Sequence, residues 1–244
     1  MAQKQALVTG ASRGIGRAIA LRLSRDGYHI LLHYAGNEAA ARQTAADITA
    51  QGGSVQLLQA DLSDLAQTQA LAYSLPAVDV LFLNASVQHR KSWQQISVEE
   101  ANVQLNCNFT SSLLLIQSVA KHMKAQRWGR IITIGSVQEA KPHPDMLVYS
   151  ASKAAQNNMV RSLALQLAAD GITVNNVCPG VIATDRNKEA LSDVAYARKV
   201  MDSIPAGFYG QPEDCAGIVS LLCSGDGRYI TGQSIYVDGG KSIL

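Results

Sequence analysis

Short apolar runs alternate along the chain with longer segments whose apolar residues recur at helical spacing. The short runs predict buried β-strands at Gln5–Thr9, His29–His33, Ser54–Leu58, Val78–Leu83, Ile131–Ile134, Ile172–Cys178 and Ser234–Val237. The periodic segments predict helices at Arg17–Asp26, Glu38–Gln51, Asp64–Leu75, Val98–Lys124, Ser150–Ala169 and Pro212–Ser224. Because strands and helices alternate, we predict an α/β fold with a doubly wound, mostly parallel sheet of about seven strands and helices on both faces.

Composition narrows the choice of protein class. The 244 residues are 47% hydrophobic and 16% charged, which is enough for one large domain spanning 1–244, with two smaller domains as the alternative. The net charge of +2 comes without clustered Lys or Arg, so we expect neither nucleic-acid binding nor a polybasic membrane-binding segment. We find no signal-peptide pattern and no long apolar run, and the four cysteines lack C-x-x-C spacing. We therefore expect a cytoplasmic protein with reduced thiols.

A glycine-rich turn, Gly10-Ala-Ser-Arg-Gly14-Ile-Gly16, lies between the first predicted strand and the first predicted helix. Glycine lets the backbone turn tightly and approach a pyrophosphate, whose charge is then met by N–H groups at the helix N-terminus. The spacing G-x-x-x-G-x-G differs from the commoner G-x-G-x-x-G, and three glycines alone are a weak signal. Their position between a strand and a helix favours a dinucleotide-binding domain of the Rossmann type.

The residues at the end of the second strand indicate which dinucleotide binds. In NAD-binding domains an acidic side chain at this place binds the ribose 2′-hydroxyl group. Here the place holds Tyr34, followed by Ala-Gly-Asn, so no carboxylate would repel a 2′-phosphate. Arg13, inside the glycine turn, could pair with that phosphate. We therefore predict NADP(H) as the cofactor; the alternative is that Arg13 is a solvated loop residue.

Three residues with complementary chemistry follow the strand predicted at Ile131–Ile134. Ser136 lies at the carboxyl end of that strand, where parallel sheets open onto ligands. Tyr149 and Lys153 are four residues apart, so a helix would place them on one face. A nearby ammonium favours the phenolate of Tyr149, which would then transfer protons near neutral pH, and Ser136 could bond to a carbonyl oxygen. The alternative is an ordinary pair on a helix surface.

Three further polar features lie near predicted strand ends or inside helices. Asn84 follows the strand Val78–Leu83, and Asn108 lies among apolar residues of the helix Val98–Lys124. A mid-helix asparagine can bond to backbone or water and disturb the helix, so by itself Asn108 indicates a structural role. The polar segment 185–210 follows the break at Pro179-Gly180, where we predict an active-site lid.

Together these residues resemble the short-chain dehydrogenase/reductase family, most closely its β-ketoacyl-[acyl-carrier-protein] reductase branch, over nearly the whole chain. The shared motifs are T-G-A-S-R-G-I-G from Thr9, D-L from Asp61, N-A from Asn84, Asn108 itself, I-I-T-I-G-S-V from Ile131, Y-x-x-x-K from Tyr149 and P-G-V-I-A-T-D from Pro179. The resemblance implies that the catalytic residues are Asn108, Ser136, Tyr149 and Lys153.

The resemblance also implies a role for each residue. Tyr149 would donate a proton to a carbonyl oxygen that Ser136 polarises, while Lys153 would assist Tyr149 and hold the nicotinamide ribose. Asn108 would hold a water that connects Lys153 to solvent. The implied cofactor-binding residues are Gly10, Ser12, Arg13, Gly14, Ile15, Gly16, Tyr34, Asp61, Leu62, Asn84, Ala85, Tyr149, Lys153, Pro179, Gly180, Ile182 and Thr184. No metal is implied, and a homotetramer is expected because members of this family commonly pair their longest helices across subunits.

Departures from the family pattern concern the substrate. Ser86 and Cys178 replace a usual Gly and a common Ala. Asp170 lies where the related reductases have a basic residue that meets the acidic acyl carrier protein, whereas Arg127 matches a second basic residue. One of the two basic positions is therefore acidic in this chain, which makes acyl carrier protein a doubtful partner.

The loop Val137–Leu147 has polar side chains where that branch often has small residues. We predict that the substrate contacts are Ser136, Gln138, Glu139, His143 and Tyr149; the alternative is that the loop residues are solvated. The expected activity is NADPH-dependent reduction of a 3-oxoacyl-type or small β-keto carbonyl. Two alternatives remain, a sugar, polyol or other secondary-alcohol dehydrogenase and a non-catalytic NADP-sensing module.

Overall fold

The computed structural model describes residues 3–244, except for the side chains of 188–191. Within that range seven strands form one sheet, namely β1 Gln5–Val8, β2 His29–Tyr34, β3 Val55–Gln59, β4 Val80–Leu83, β5 Gly129–Ile134, β6 Ile172–Pro179 and β7 Ser234–Val237. Their order is β3-β2-β1-β4-β5-β6-β7, and all pairs are parallel. The predicted doubly wound α/β fold is confirmed.

Helices cover both faces of the sheet. They are α1 Gly14–Arg25, α2 Glu38–Ala50, α3 Leu65–Ser74, α4 Val98–Leu105, α5 Ser111–Ala125, α6 Leu147–Leu167, α7 Asp185–Ser192, α8 Val194–Asp202 and α9 Ala216–Cys223. One apolar core joins α1, α2 and α9 to the sheet, and a second joins α3, α5 and α6 to its other face. Neighbouring residues of one strand, such as Leu31 and Leu32, therefore enter different cores, which explains the continuous apolar runs.

The long helix predicted at Val98–Lys124 is interrupted, which corrects the sequence-based boundary. A π-helical turn, Asn106–Thr110, separates α4 from α5. Inside it the Asn108 side chain leaves the helix to bond with the Val87 backbone, which lies beyond the end of β4. Insertions of this kind are rare and often occur at functional sites.

Other boundaries move in ways that affect the site. Helix α1 begins at Gly14 rather than Arg17, so two glycines of the turn lie in its first turn. Helix α6 begins at Leu147 rather than Ser150, so Tyr149 also lies in a first turn. The segment 185–210 contains α7 and α8; its side chains at 188–191 lie outside the described residues, and the lid remains a prediction.

The topology brings the predicted functional segments to one edge of the sheet. The carboxyl ends of β1, β4, β5 and β6 meet there, and the strand order reverses between β1 and β4. Ligands of open parallel sheets bind at such a reversal point. Within the described residues, no helix is both long and apolar enough to cross a membrane.

Candidate active site

A cavity of about 810 Å³ opens at the carboxyl edge of the sheet. Most of the predicted site residues line it, namely Gly10, Ser12, Arg13, Gly14, Ile15, Asp61, Leu62, Asn84, Ala85, Ser136, Gln138, His143, Tyr149, Pro179, Gly180, Ile182 and Thr184. The predicted residues that do not line it are Gly16, Tyr34, Asn108, Glu139 and Lys153. The fold therefore gathers residues that are far apart in sequence around one space.

The glycine turn is packed so closely at Gly10 and Gly16 that these two positions have no room for a side chain. A Cβ atom at Gly16 would lie 2.2 Å from the Gly10 carbonyl oxygen, so even alanine would displace the backbone. Gly10 has a φ of 63°, which glycine adopts without strain. The Asn84 amide donates to the carbonyl oxygens of Thr9 and Gly10, which fixes the turn to the end of β4.

This turn fits the pyrophosphate of a dinucleotide. Helix α1 has no side-chain hydrogen bond at its N-cap, Arg13, and no acidic residue in its first turn. Its first N–H groups therefore have no side-chain acceptor among the described residues, and Gly10 and Gly14 beside them line the cavity. A bound anion would satisfy those groups and interact favourably with the helix dipole.

The end of β2 corrects one predicted cofactor contact. Tyr34 packs into the core beside α1 and α2, and the cavity is lined instead by His33, Ala35, Gly36 and Asn37. Successive strand residues point to opposite faces, so His33 takes the position assigned to Tyr34. His33 accepts a hydrogen bond from the Gly10 N–H (3.2 Å), and burial lowers its pKa to about 4, so it is neutral.

Arg13 lines the cavity beside this strand end, as the NADP(H) prediction requires. Its guanidinium group forms an ion pair of 3.3 Å with Asp185, the first residue of α7. Both side chains are largely exposed, so the pair is weak and a phosphate could replace the carboxylate. The described end of β2 has no carboxylate at 33–37.

Ser136 and Tyr149 lie together on the wall of the cavity, and both are buried. The Ser136 hydroxyl oxygen accepts a hydrogen bond from the Gln138 N–H (3.1 Å) and lies beside the Tyr149 phenol. Burial raises the pKa of Tyr149, and the positive charge of Arg186 and the bond to Ser136 oppose that rise. The expected lowering of this pKa by Lys153 is therefore wrong for the protein without ligand, in which desolvation dominates.

Lys153 lies behind Tyr149, fully buried. Its Nζ is 5.7 Å from the centre of the Tyr149 ring and donates hydrogen bonds to the Ile134 carbonyl (2.6 Å) and the Gln156 side chain (3.3 Å). Burial lowers the pKa of Lys153 to about 8, and the neighbouring charge of Arg186 adds to the effect. An ammonium group has three donors, so one remains for a ligand or water.

Asn108 connects three elements around Lys153 without touching it. Its amide donates to the Val87 carbonyl (2.9 Å) and the Ser152 hydroxyl (3.0 Å) and accepts from the Val87 N–H (2.9 Å). The residue is completely buried. Its predicted function of holding a water molecule remains a prediction, while its structural role is visible.

Glu139 lies behind the loop rather than in the cavity, which corrects its place among the predicted substrate contacts. Its carboxylate accepts hydrogen bonds from the side chains of Asn157, Asn176, Cys178 and Tyr236. These bonds fasten the loop after Ser136 to β6, β7 and α6. Burial, and after it the charge of the same carboxylate, raises the pKa of Tyr236 to about 12.

Gln138 and His143 line the cavity, and their contact with the substrate remains a prediction. The Gln138 side chain accepts a hydrogen bond from the Ser150 hydroxyl (3.0 Å), which holds it beside the start of α6. His143 accepts a hydrogen bond from the Asp145 N–H (3.1 Å) and is partly exposed. Both can reach a ligand in the part of the cavity beyond Tyr149.

Arg186 is a functional candidate that sequence reasoning missed. It lines the cavity, lies beside the Tyr149 phenol, and donates through Nη2 to the carbonyl oxygen (2.8 Å) and hydroxyl oxygen (3.1 Å) of Ser86. Ser86 replaces a glycine of the family pattern. The residue that bonds to it is one hundred positions away, and no local pattern links the two.

Asp170 and Arg127 precede β6 and β5, at the amino edge of the sheet and away from the cavity. Asp170 forms an ion pair with Lys124 (3.6 Å), and Arg127 donates to the Ala169 carbonyl (2.8 Å). The reversed charge therefore does not act on a ligand in the same protomer's cavity.

The chain matches a family model described as "Enoyl-(Acyl carrier protein) reductase" over residues 10–242. It is 37% identical over 241 residues to the 3-oxoacyl-[acyl-carrier-protein] reductase of Staphylococcus aureus, with 97% of each chain covered. The chain belongs to the short-chain dehydrogenase/reductase family. The resemblance deduced from the motifs is thereby confirmed, and the protein is an oxidoreductase.

Relatives within the family differ in what they act on. The chain is 35% identical to L-rhamnose 1-dehydrogenase (NAD(P)(+)) of Azotobacter vinelandii, with 98% of this chain and 97% of that one covered. It also superposes on a 3-oxoacyl (acyl-carrier-protein) reductase of Agrobacterium tumefaciens that was solved with NADP bound. That structure has a TM-score of 0.92 and 33% identity, covering 97% of this chain and 93% of its own. The family assignment therefore leaves the substrate open.

Proposed function

We propose that this protein is an NADPH-dependent ketoreductase acting on a 3-oxoacyl-type or small β-keto substrate. The observation that carries this proposal is the position of Ser136 and Tyr149 on the wall of the cavity whose other end holds the glycine turn. A nucleotide bound at that turn would extend along the carboxyl edge of the sheet towards these two side chains.

In this mechanism the protein's residues orient the carbonyl and move one proton. The Ser136 hydroxyl and the Tyr149 phenol both bond to the carbonyl oxygen, where negative charge develops. Tyr149 donates its proton to that oxygen, and the buried ammonium of Lys153 then stabilises the phenolate. The nicotinamide, when bound, supplies the hydride for the carbonyl carbon. Loss of the phenolic proton in this direction is compatible with the raised pKa of Tyr149, which keeps the phenol protonated before reaction.

A sugar or polyol dehydrogenase is the second candidate. The polar lining beyond Tyr149, with Gln138 and His143, could bind hydroxyl groups, and the similarity to L-rhamnose 1-dehydrogenase supports this class. Oxidation would require Tyr149 to accept a proton. Because its pKa is raised, that direction should accelerate as the pH increases.

A substrate screen separates the two candidates. Reduction of a free β-ketoester, followed by absorbance of NADPH, is expected to be faster than oxidation of any aldose or polyol with NADP⁺ at pH 7. We expect little further gain when the acyl group is attached to acyl carrier protein, because Asp170 is acidic, and we expect Asp170→Arg to improve that substrate. A strong wild-type preference for the carrier-bound form, lost on adding salt, would show that Asp170 has no such effect.

Arg13→Ala tests the cofactor preference. We expect the KM for NADPH to rise about tenfold and the KM for NADH to change little, because only NADPH has the 2′-phosphate that Arg13 would bind. Arg25→Ala, on the same helix but outside the cavity, is the matched control. Equal effects of Arg13→Ala on both cofactors would contradict this assignment.

We also propose that the protein is a cytoplasmic homotetramer. Leu147 and Leu165 on α6 are exposed by 51% and 87%, and Val98 on α4 by 71%. Apolar side chains of this size on paired helices favour burial between subunits. Light scattering at micromolar concentration should give four times the mass of one chain, and Leu165→Asp should lower it. A monomer's mass for the wild type would contradict the tetramer.

A further inference from the structure

Several basic side chains and few acids line the cavity. Besides Arg13 and the neutral His33, the basic lining residues are Arg90, Lys141, His143, Arg186 and Lys241. Among the described lining residues, the carboxylates are Asp61 and Asp185. Asp61 accepts hydrogen bonds from Ser63, and Asp185 is paired with Arg13. Neither acid forms an ion pair with any of these five residues.

The basic residues are not equally available to a ligand. Lys141 donates to the Leu244 carbonyl, and Lys241 donates to the Ser203 hydroxyl (2.7 Å). Arg90 forms no hydrogen bond or ion pair with any described side chain, and its loop is held to the loop of His143 by the bond from the Lys91 N–H to the Asp145 carbonyl (2.8 Å). Arg90 and Arg186 therefore keep more unused N–H donors than Lys141 or Lys241.

The guanidinium group of Arg186 is held in a defined orientation. One of its terminal nitrogens is fixed by both oxygens of Ser86. A guanidinium group has five N–H donors in a planar fork, so this anchor leaves donors for a planar anion. Its position beside the Tyr149 phenol places these donors near the reacting oxygen. The fork suits a carboxylate, which accepts two parallel hydrogen bonds.

We propose, building on the ketoreductase function above, that the natural substrate is a short β-oxo acid whose free carboxylate is bound by Arg186. A carboxylate bound to Arg186 lies close to the Tyr149 hydroxyl, which bonds to the ketone oxygen. Only about one carbon atom therefore separates the carboxylate from the ketone carbon. A thioester has no charge at that position and would leave the cation without a partner. The reaction adds hydride to the ketone carbon and the Tyr149 proton to its oxygen, giving the 3-hydroxy acid and NADP⁺.

Acetoacetate and methyl acetoacetate form a matched pair of substrates that differ in the carboxylate charge. We expect wild-type kcat/KM to be higher for acetoacetate, and Arg186→Gln to lower kcat/KM for acetoacetate at least about tenfold more than it lowers kcat/KM for the ester. Arg186→Lys should restore part of the loss because it keeps the charge without the fork. Arg228→Gln, an arginine outside the cavity, should change neither substrate.

Binding provides a second measurement that does not depend on turnover. With NADP⁺ in place of NADPH, acetoacetate cannot be reduced, so calorimetry measures its Kd directly. We expect Arg186→Gln to weaken this Kd at least about tenfold. Equal losses for acid and ester, or an unchanged Kd, would overturn the carboxylate assignment and leave the ketoreductase function intact. Failure of wild type to reduce either compound would overturn both.

Discussion

Replacement of Tyr149 by phenylalanine is expected to lower kcat for β-ketoester reduction by roughly 10²–10⁴-fold, because the variant has no proton to give to the carbonyl oxygen. The Kd for NADPH should stay within about twofold of the wild-type value. The phenyl ring retains the packing of the Tyr149 side chain, which is only 6% exposed. Steady-state kinetics and a fluorescence titration of NADPH measure the two quantities.

Tyr73→Phe is the matched control, because Tyr73 is 90% exposed and lies on α3, away from the cavity. It removes the same hydroxyl group and should alter neither kcat nor Kd. If Tyr149→Phe retained most of the wild-type kcat, another residue would have to donate the proton, and the role assigned to Tyr149 would be wrong.

Lys153→Met is expected to abolish turnover and at the same time to stabilise the protein without ligand at neutral pH. The wild-type ammonium is buried, and its pKa of about 8 lies below the ordinary 10.5. Because the pKa is lower in the folded protein, the unfolded chain binds this proton more tightly than the folded protein does. Burial of the charged side chain therefore lowers the free energy of unfolding at every pH at which the folded protein keeps the proton.

The sign of the pH dependence follows from these two pKa values. Below pH 8 both states hold the proton, and the full cost is present. Between about pH 8 and 10.5 the folded protein releases the proton while the unfolded chain retains it, so wild-type stability rises relative to the variant. Denaturant unfolding at pH 7, 8, 9 and 10 should show the advantage of Lys153→Met shrinking. Lys121→Met, on the exposed side of α5, should show no such trend; a pH-independent difference for Lys153→Met would contradict the lowered pKa.

Much of this architecture could be predicted because its signals are local. Parallel strands buried on both faces appear as continuous apolar runs, and Leu31 and Leu32 illustrate why, since each enters a different core. The glycine turn is equally local: Gly16 is required because a Cβ there would strike the Gly10 carbonyl oxygen. The proximity of Ser136 and Tyr149 could be predicted from the order of their motifs along the chain.

The remaining features depend on contacts that sequence spacing does not encode. Asn108 disturbs its helix as expected, but its partner at Val87 is supplied by the end of another strand. Tyr34 was assigned to the cavity, yet strand alternation directs it into the core and His33 towards the glycine turn. The pKa of Tyr149 depends on a balance between burial and nearby charge, and burial is known only after folding.

Transfer of deuterium from labelled cofactor tests the central claim most directly. NADPH with both C4 hydrogens of the nicotinamide replaced by deuterium is mixed with enzyme and methyl acetoacetate, and the product is examined by mass spectrometry and NMR. The proposed function predicts one deuterium on the carbinol carbon of methyl 3-hydroxybutyrate with the wild type and negligible product with Tyr149→Phe. Product without deuterium at that carbon, or equal labelled product from Tyr149→Phe, would contradict hydride transfer to a carbonyl held by Tyr149.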